Sequence, residues 1–138
     1  MDTDFNRFVE AQDKVIDAVR RELAAGTKRT HWMWFIFPQL RALGRSETAR
    51  FYGLAGLAEA RAYLAHPVLG PRLLDCVESV DHVQGKTALQ ILGSPDDLKF
   101  RSCLTLFAAV DRAPFEAALR HFYAGVPDPL TLELLDAA

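Results

Sequence analysis

Thr27-Lys28-Arg29-Thr30-His31-Trp32-Met33-Trp34-Phe35-Ile36-Phe37-Pro38-Gln39 is the stretch on which the fold turns. Its centre, Trp32 to Phe37, is the longest unbroken apolar run of the chain. So short a run shows neither the helical nor the strand period, and its aromatic residues favour a strand on propensity alone. A strand needs a partner, however, and no second strand-like run with hairpin punctuation stands elsewhere. The segment therefore predicts buried helical or irregular structure.

Both flanks of this stretch read as helices. Upstream, Phe5, Phe8, Val9, Val15, Ile16, Val19 and Leu23 recur at helical spacing before Gly26, which predicts one amphipathic helix over Phe5 to Leu23. Gln12 falls inside that apolar stripe, as a hydrogen-bonding post in the core or a group lining a pocket. Downstream, Ser46 is placed to cap a short helix ending at Tyr52, and a second helix runs from Leu57 to His66. Val68, Leu69, Leu73, Cys76, Val77 and Val80 predict a helix over about Pro67 to Val83 despite Gly70-Pro71. Thr87-Ala88-Leu89-Gln90 has capping-box form and opens a short helix closed by Gly93. Ser94-Pro95-Asp96-Asp97 starts a helix reaching Val110, with Ser94 as the expected cap. Pro114 to Tyr123 and Pro129 to Leu135, the latter capped by Asp128, supply the last two helices.

The expectation is an all-α fold, a single compact multi-helix domain over residues 1–138. The composition agrees: of 138 residues, 50% are hydrophobic and 25% charged, enough apolar surface for one core without staples. No apolar run is long enough to span a bilayer. The N-terminus opens with acids rather than a basic and then apolar leader, so a cytoplasmic location is expected. Cys76 and Cys103 share no metal-binding or disulfide spacing and sit in apolar stretches, which predicts buried, reduced thiols.

Charge is distributed unevenly behind the net value of −2: residues 1–19 sum to −3, residues 20–50 to +5 and residues 51–138 to −4. A local positive zone in a mildly acidic chain favours a small anionic ligand or an acidic protein surface over duplex nucleic acid, which needs a broadly basic face. Several familiar motifs fail. Gly85-Lys86-Thr87 resembles the end of a P-loop, but Val80 stands where that motif needs its first glycine. The four histidines have no i,i+4 partner histidine, so no metal site is expected, and no GxSxG elbow occurs.

What remains is the quoted stretch. Lys28, Arg29 and His31 set cationic donors before two tryptophans and two phenylalanines, a combination suited to an anionic, planar ligand. The plainer alternative makes the aromatics core and leaves the cations solvated. His31, at the junction of polar and apolar sequence, suits a cap, a bond to a core carbonyl or acid–base work. On a wheel of the helix from Pro95 to Val110, Lys99 falls in the apolar sector, where its stem snorkels or its ammonium meets an anion in a cleft. Ser102 and Thr105 stand on the flank of that helix, within reach of backbone carbonyls or a ligand.

Three strings together, Lys28 to Gln39, Tyr63 to Gly70 and Gly93 to Lys99 with Ser102 and Thr105 to Phe107, resemble the family called domain of unknown function 1810. The resemblance runs from about Phe8 to Leu132 and implies an all-helical domain without an agreed activity. It points to His31, Trp32, Trp34, Pro38 and Gln39, to His66 and Pro67, and to Asp96, Lys99, Ser102 and Thr105. Two functions follow as expectations. One is a cleft for an anionic, nucleotide-like small molecule, with Lys28, Arg29 and Lys99 holding charge, Trp34 stacking and Gln39, Ser102 and Thr105 hydrogen bonding. If hydrolysis or group transfer occurs there, His31 or His66 is the proton-transfer group. The alternative is a non-catalytic module whose basic-aromatic segment meets a protein partner.

Overall fold

The computed structural model describes residues 5–137. Its order is α1 (Asn6–Asp13), α2 (Ile16–Ala24), α3 (Met33–Ile36), a 3-10 turn (Arg41–Leu43), α4 (Glu47–Phe51), α5 (Leu57–Ala65), α6 (Leu69–Asp81), α7 (Ala88–Leu92), α8 (Asp96–Ala108), α9 (Phe115–Tyr123) and α10 (Pro129–Ala137). The expected all-helical domain is observed. Among the described residues the sole extended pairing is one bridge between Leu40 and Leu54.

The helix α8 forms the spine. Phe100, Cys103, Leu104, Leu106 and Phe107 are all fully buried, and Ser102 and Thr105 nearly so. Six consecutive buried positions from Ser102 to Phe107 cover all sides of the helix and mark it as core, not surface. Helices α5, α7, α9 and α10 pack around it. The basic-aromatic stretch enters this core as the single turn α3, burying Trp32, Met33, Phe35, Ile36 and Phe37, with Phe37 edge-on to Phe100 at 4.8 Å between centroids.

Local cap signals are met where the partners lie a few residues apart. The Ser46 hydroxyl accepts the Ala49 N–H, and Thr87 and Gln90 form a complete capping box. Two expectations need correction. The helix foreseen over Phe5 to Leu23 is two helices, broken at Lys14 and Val15, although neither glycine nor proline stands there. The Val15 N–H folds back to Gln12 O, while Arg72 holds Gln12 and Asp13 from α6, so tertiary bonds fix the end of α1 just where β-branched Val15 and Ile16 weaken helix propensity. At α8, Ser94 is not the cap. Pro95 occupies that position, and the first N–H groups bond the carbonyls of Gly93 and Pro95 instead.

Two glycines allow backbones to meet. A Cβ on Gly70 would lie 2.1 Å from Leu64 O, and one on Gly53 would lie 2.4 Å from Arg41 Cα. The first permits the close crossing of α5 and α6. The second seats Leu54 beside the 3-10 turn, where its N–H bonds Gln39 O and its carbonyl accepts the Arg41 N–H, fixing the backbone of Gln39.

Candidate functional site

The residues expected to bind through charge are divided by the fold. Lys28 Nζ lies 3.0 Å from Asp96 Oδ2 and 5.0 Å over the Trp32 ring, with its side chain only 8% exposed. Contrary to the expectation of a ligand-facing cation, it ties the α2–α3 loop to the start of α8. Arg29 and His31 are exposed and show no side-chain partner among the described residues. His66 receives the Val68 and Leu69 N–H groups on Nδ1, at 3.1 and 3.2 Å, and stands edge-on to Phe5. That is a capping role at the start of α6, with Nδ1 as the acceptor.

Glu22, which the sequence reading passed over, organises the stretch instead. It is 9% exposed, and its carboxylate accepts the Arg29 and Thr30 N–H groups, the Thr30 hydroxyl and the Trp32 indole N–H, at 2.6–3.0 Å. Burial alone would raise its pKa, but these donors outweigh burial and bring it from 4.5 to about 2. An acid in the apolar stripe of α2 was a legible signal of such a hub. Gln12 is likewise a post: its amide donates to Phe35 O at 2.7 Å and Tyr63 Oη at 3.0 Å, and accepts from Arg72. Burial pushes the Tyr63 hydroxyl well above its ordinary pKa, so it stays a neutral partner.

A cleft of about 510 Å³ opens between the turn leading into α4 and the α8–α10 pair. Gln39, Arg45, Ser46, Lys99, Ser102 and Asp128 supply its polar lining, with Leu43, Pro95, Leu98 and Leu130 as apolar walls. A smaller recess shares Gln39, Ala49 and Lys99 with it and is lined also by Trp34 and Tyr52. Three of the expected binding residues, Gln39, Lys99 and Ser102, thus line one cleft and Trp34 backs it, although they come from distant parts of the chain. Lys99 Nζ stands 5.7 Å over the Trp34 ring. Among the described residues the Lys99 ammonium has no ion pair or hydrogen bond, and the Gln39 amide and Arg45 guanidinium have no partner.

Ser102 and Thr105 are engaged more firmly. Ser102 Oγ lies 3.2 Å from Leu98 O and 3.1 Å from Asp128 Oδ2, while Thr105 Oγ1 donates to Arg101 O and accepts the Asp128 N–H, both at 2.8 Å. Asp128 Oδ2 also accepts the Thr131 N–H and hydroxyl, the expected cap of α10. These bonds pin the start of α10 to the middle of α8. Thr105 does not line this cleft; it borders another opening of about 690 Å³ beside α9.

Elsewhere, Cys76 and Cys103 are free and buried, and burial raises the Cys76 thiol to about 12 and Cys103 well above the usual range. Among the described residues no cluster of three or more His, Cys, Asp or Glu side chains suits a metal ion, and no helix is long and apolar enough to cross a membrane.

Fold and site together define an all-helical single domain with a half-open cleft of mixed polarity beside its central helix. The chain belongs to the DUF1810 family of proteins of unknown function, whose pattern matches residues 2–135. The crystal structure of the conserved hypothetical protein Rv1873 from Mycobacterium tuberculosis has the same fold, with a TM-score of 0.94 and 50% identity over 96% of each chain. No curated protein matches the sequence.

Proposed function

We propose that the cleft beside α8 binds a small anionic molecule, held by Lys99 and Arg45 and oriented by the Gln39 amide. The observation carrying this reading is Lys99: a half-buried residue whose ammonium has no acidic partner among the described residues, standing in a cleft wall beside an unpartnered amide and a second free cation. A cation so placed is available to a ligand anion at lower desolvation cost than one already paired. Trp34 serves this reading through its ring face, which Lys99 covers. That favours charge reinforcement by the indole over the stacking of a nucleobase on it. Neither His31 nor His66 lines the cleft, so the reading is one of binding without an assigned reaction. Two buried thiols suit a reducing compartment, consistent with a cytoplasmic protein.

The test is a thermal-shift screen of small anions, including inorganic phosphate, carboxylates and nucleotides, because a ligand selective for the folded state raises apparent stability. Any anion found should bind Lys99→Ala about tenfold or more weakly, with the difference shrinking as salt rises. Undiminished binding by both Lys99→Ala and Arg45→Ala would overturn the assignment. A protein partner is the second reading, favoured by Leu98 and Leu130, which are 58% and 50% exposed on the cleft walls. An acidic partner whose affinity falls with Leu98→Ala, in a protein no small anion stabilises, would decide for it.

A further inference from the structure

Opposite charge stands in the same cleft as Lys99 and Arg45. Asp128 lines it, and among the described residues its Oδ2 takes the bonds to the carboxylate, from Ser102 and from the Thr131 N–H and hydroxyl. Oδ1 has no partner among the described residues and is not fully buried. A plain anion would gain from the two cations and be repelled by this carboxylate. A ligand carrying both signs would gain from all three. The remaining walls are aliphatic, formed by Leu43, Leu98, Leu130 and Pro95, while the Trp34 face is covered by Lys99 and Tyr52 is packed among Phe8, Phe35 and Phe51.

From this pattern we infer that the ligand is a zwitterion with an aliphatic body, of the class of amino acids and short peptides with free ends. Its carboxylate meets Lys99, Arg45 and Gln39, its ammonium meets Asp128 Oδ1, and its side chains lie against the leucines. The volume of about 510 Å³ admits two residues more readily than one. The inference rests on the anion-binding reading, since the carboxylate half of the ligand uses the same cations.

The experiment compares three probes of one shape by calorimetric titration near pH 7, where a terminal amine with a pKa of about 8 is protonated. These are leucyl-leucine, its N-acetyl form and its C-terminal amide. Leucyl-leucine should bind best, with each blocked form about tenfold weaker, the size of one lost charge-assisted hydrogen bond. Asp128→Asn keeps a capping side chain for α10 and should abolish the advantage of the free amine, while Lys99→Ala should abolish that of the free carboxylate. An N-acetyl form that binds as well as the free dipeptide would overturn the zwitterion and leave the anion reading standing. An amide that binds as well would remove the anion reading itself. If none of the three binds while the anion screen gives a ligand, the zwitterion is again overturned and the anion reading is kept. Because the probe comparison uses the unaltered protein, it decides even if Asp128→Asn loosens α10.

Discussion

The carboxylate of Glu22 carries four donors in a buried setting, and it orders the backbone from Arg29 to Trp32. Its folded pKa of about 2 lies below the ordinary 4.5, so its contribution is fully present above 4.5, declines as the pH falls through that value and is gone below about 2. A depression of this size corresponds to about 3 kcal/mol. Glu22→Gln should therefore lower stability at pH 7 by about 2–3 kcal/mol and flatten the acid-induced loss, as melting curves at pH 7 and pH 3 would show. Equal melting at pH 7 would contradict the hub. Gln12 makes a comparable case without charge: Gln12→Ala leaves Phe35 O and Tyr63 Oη without its donor and opens a cavity, with an expected cost of about 2–4 kcal/mol by denaturant titration.

At the scale of elements, helix ends and helix crossings respond in opposite directions. Ala124 closes α9 in the left-handed region, at φ 54°, where a Cβ is strained. Ala124→Gly should raise stability by about 0.5–1 kcal/mol, net of the greater entropy glycine has when unfolded. Gly70 shows the reverse. Its substitution by alanine would drive a methyl into the Leu64 carbonyl, a fixed backbone atom of α5, and should cost about 2 kcal/mol or more by forcing α5 and α6 apart. A Gly70→Ala protein with the parent melting temperature would contradict the crossing. The capping signals at Ser46, Thr87 and Asp128 were legible because a cap and its target lie three residues apart. The break between α1 and α2 was not, because the bonds that hold the end of α1 come from Arg72 on the distant α6.

For the whole molecule, two lysines given the same part in the sequence stand in different settings. Lys28 is paired and covered, whereas Lys99 is unpaired in a cleft wall. Lys28→Ala should cost about 1–3 kcal/mol of stability, since Asp96 loses its partner, and leave any anion affinity nearly intact. Lys99→Ala should change stability by about 1 kcal/mol or less and weaken the anion. Paired melting and titration of the two variants would show this crossing of effects, and a parallel loss of affinity in both would refute it. By itself the sequence determined the all-helical class, most of the helices, the burial of the central aromatics and the place of Gln12 within the apolar stripe of its helix. Periodicity, capping and the absence of a partner strand act over a few residues and can be read from spacing. Only the tertiary structure decided that Lys28 faces Asp96, that His66 caps α6, that Glu22 gathers the loop, and that Gln39, Arg45, Lys99 and Asp128 surround one space. Those outcomes depend on which distant backbones approach, and such approach is set by packing volume around α8 and by glycines such as Gly53 and Gly70, whose need for close contact leaves no local pattern in the chain.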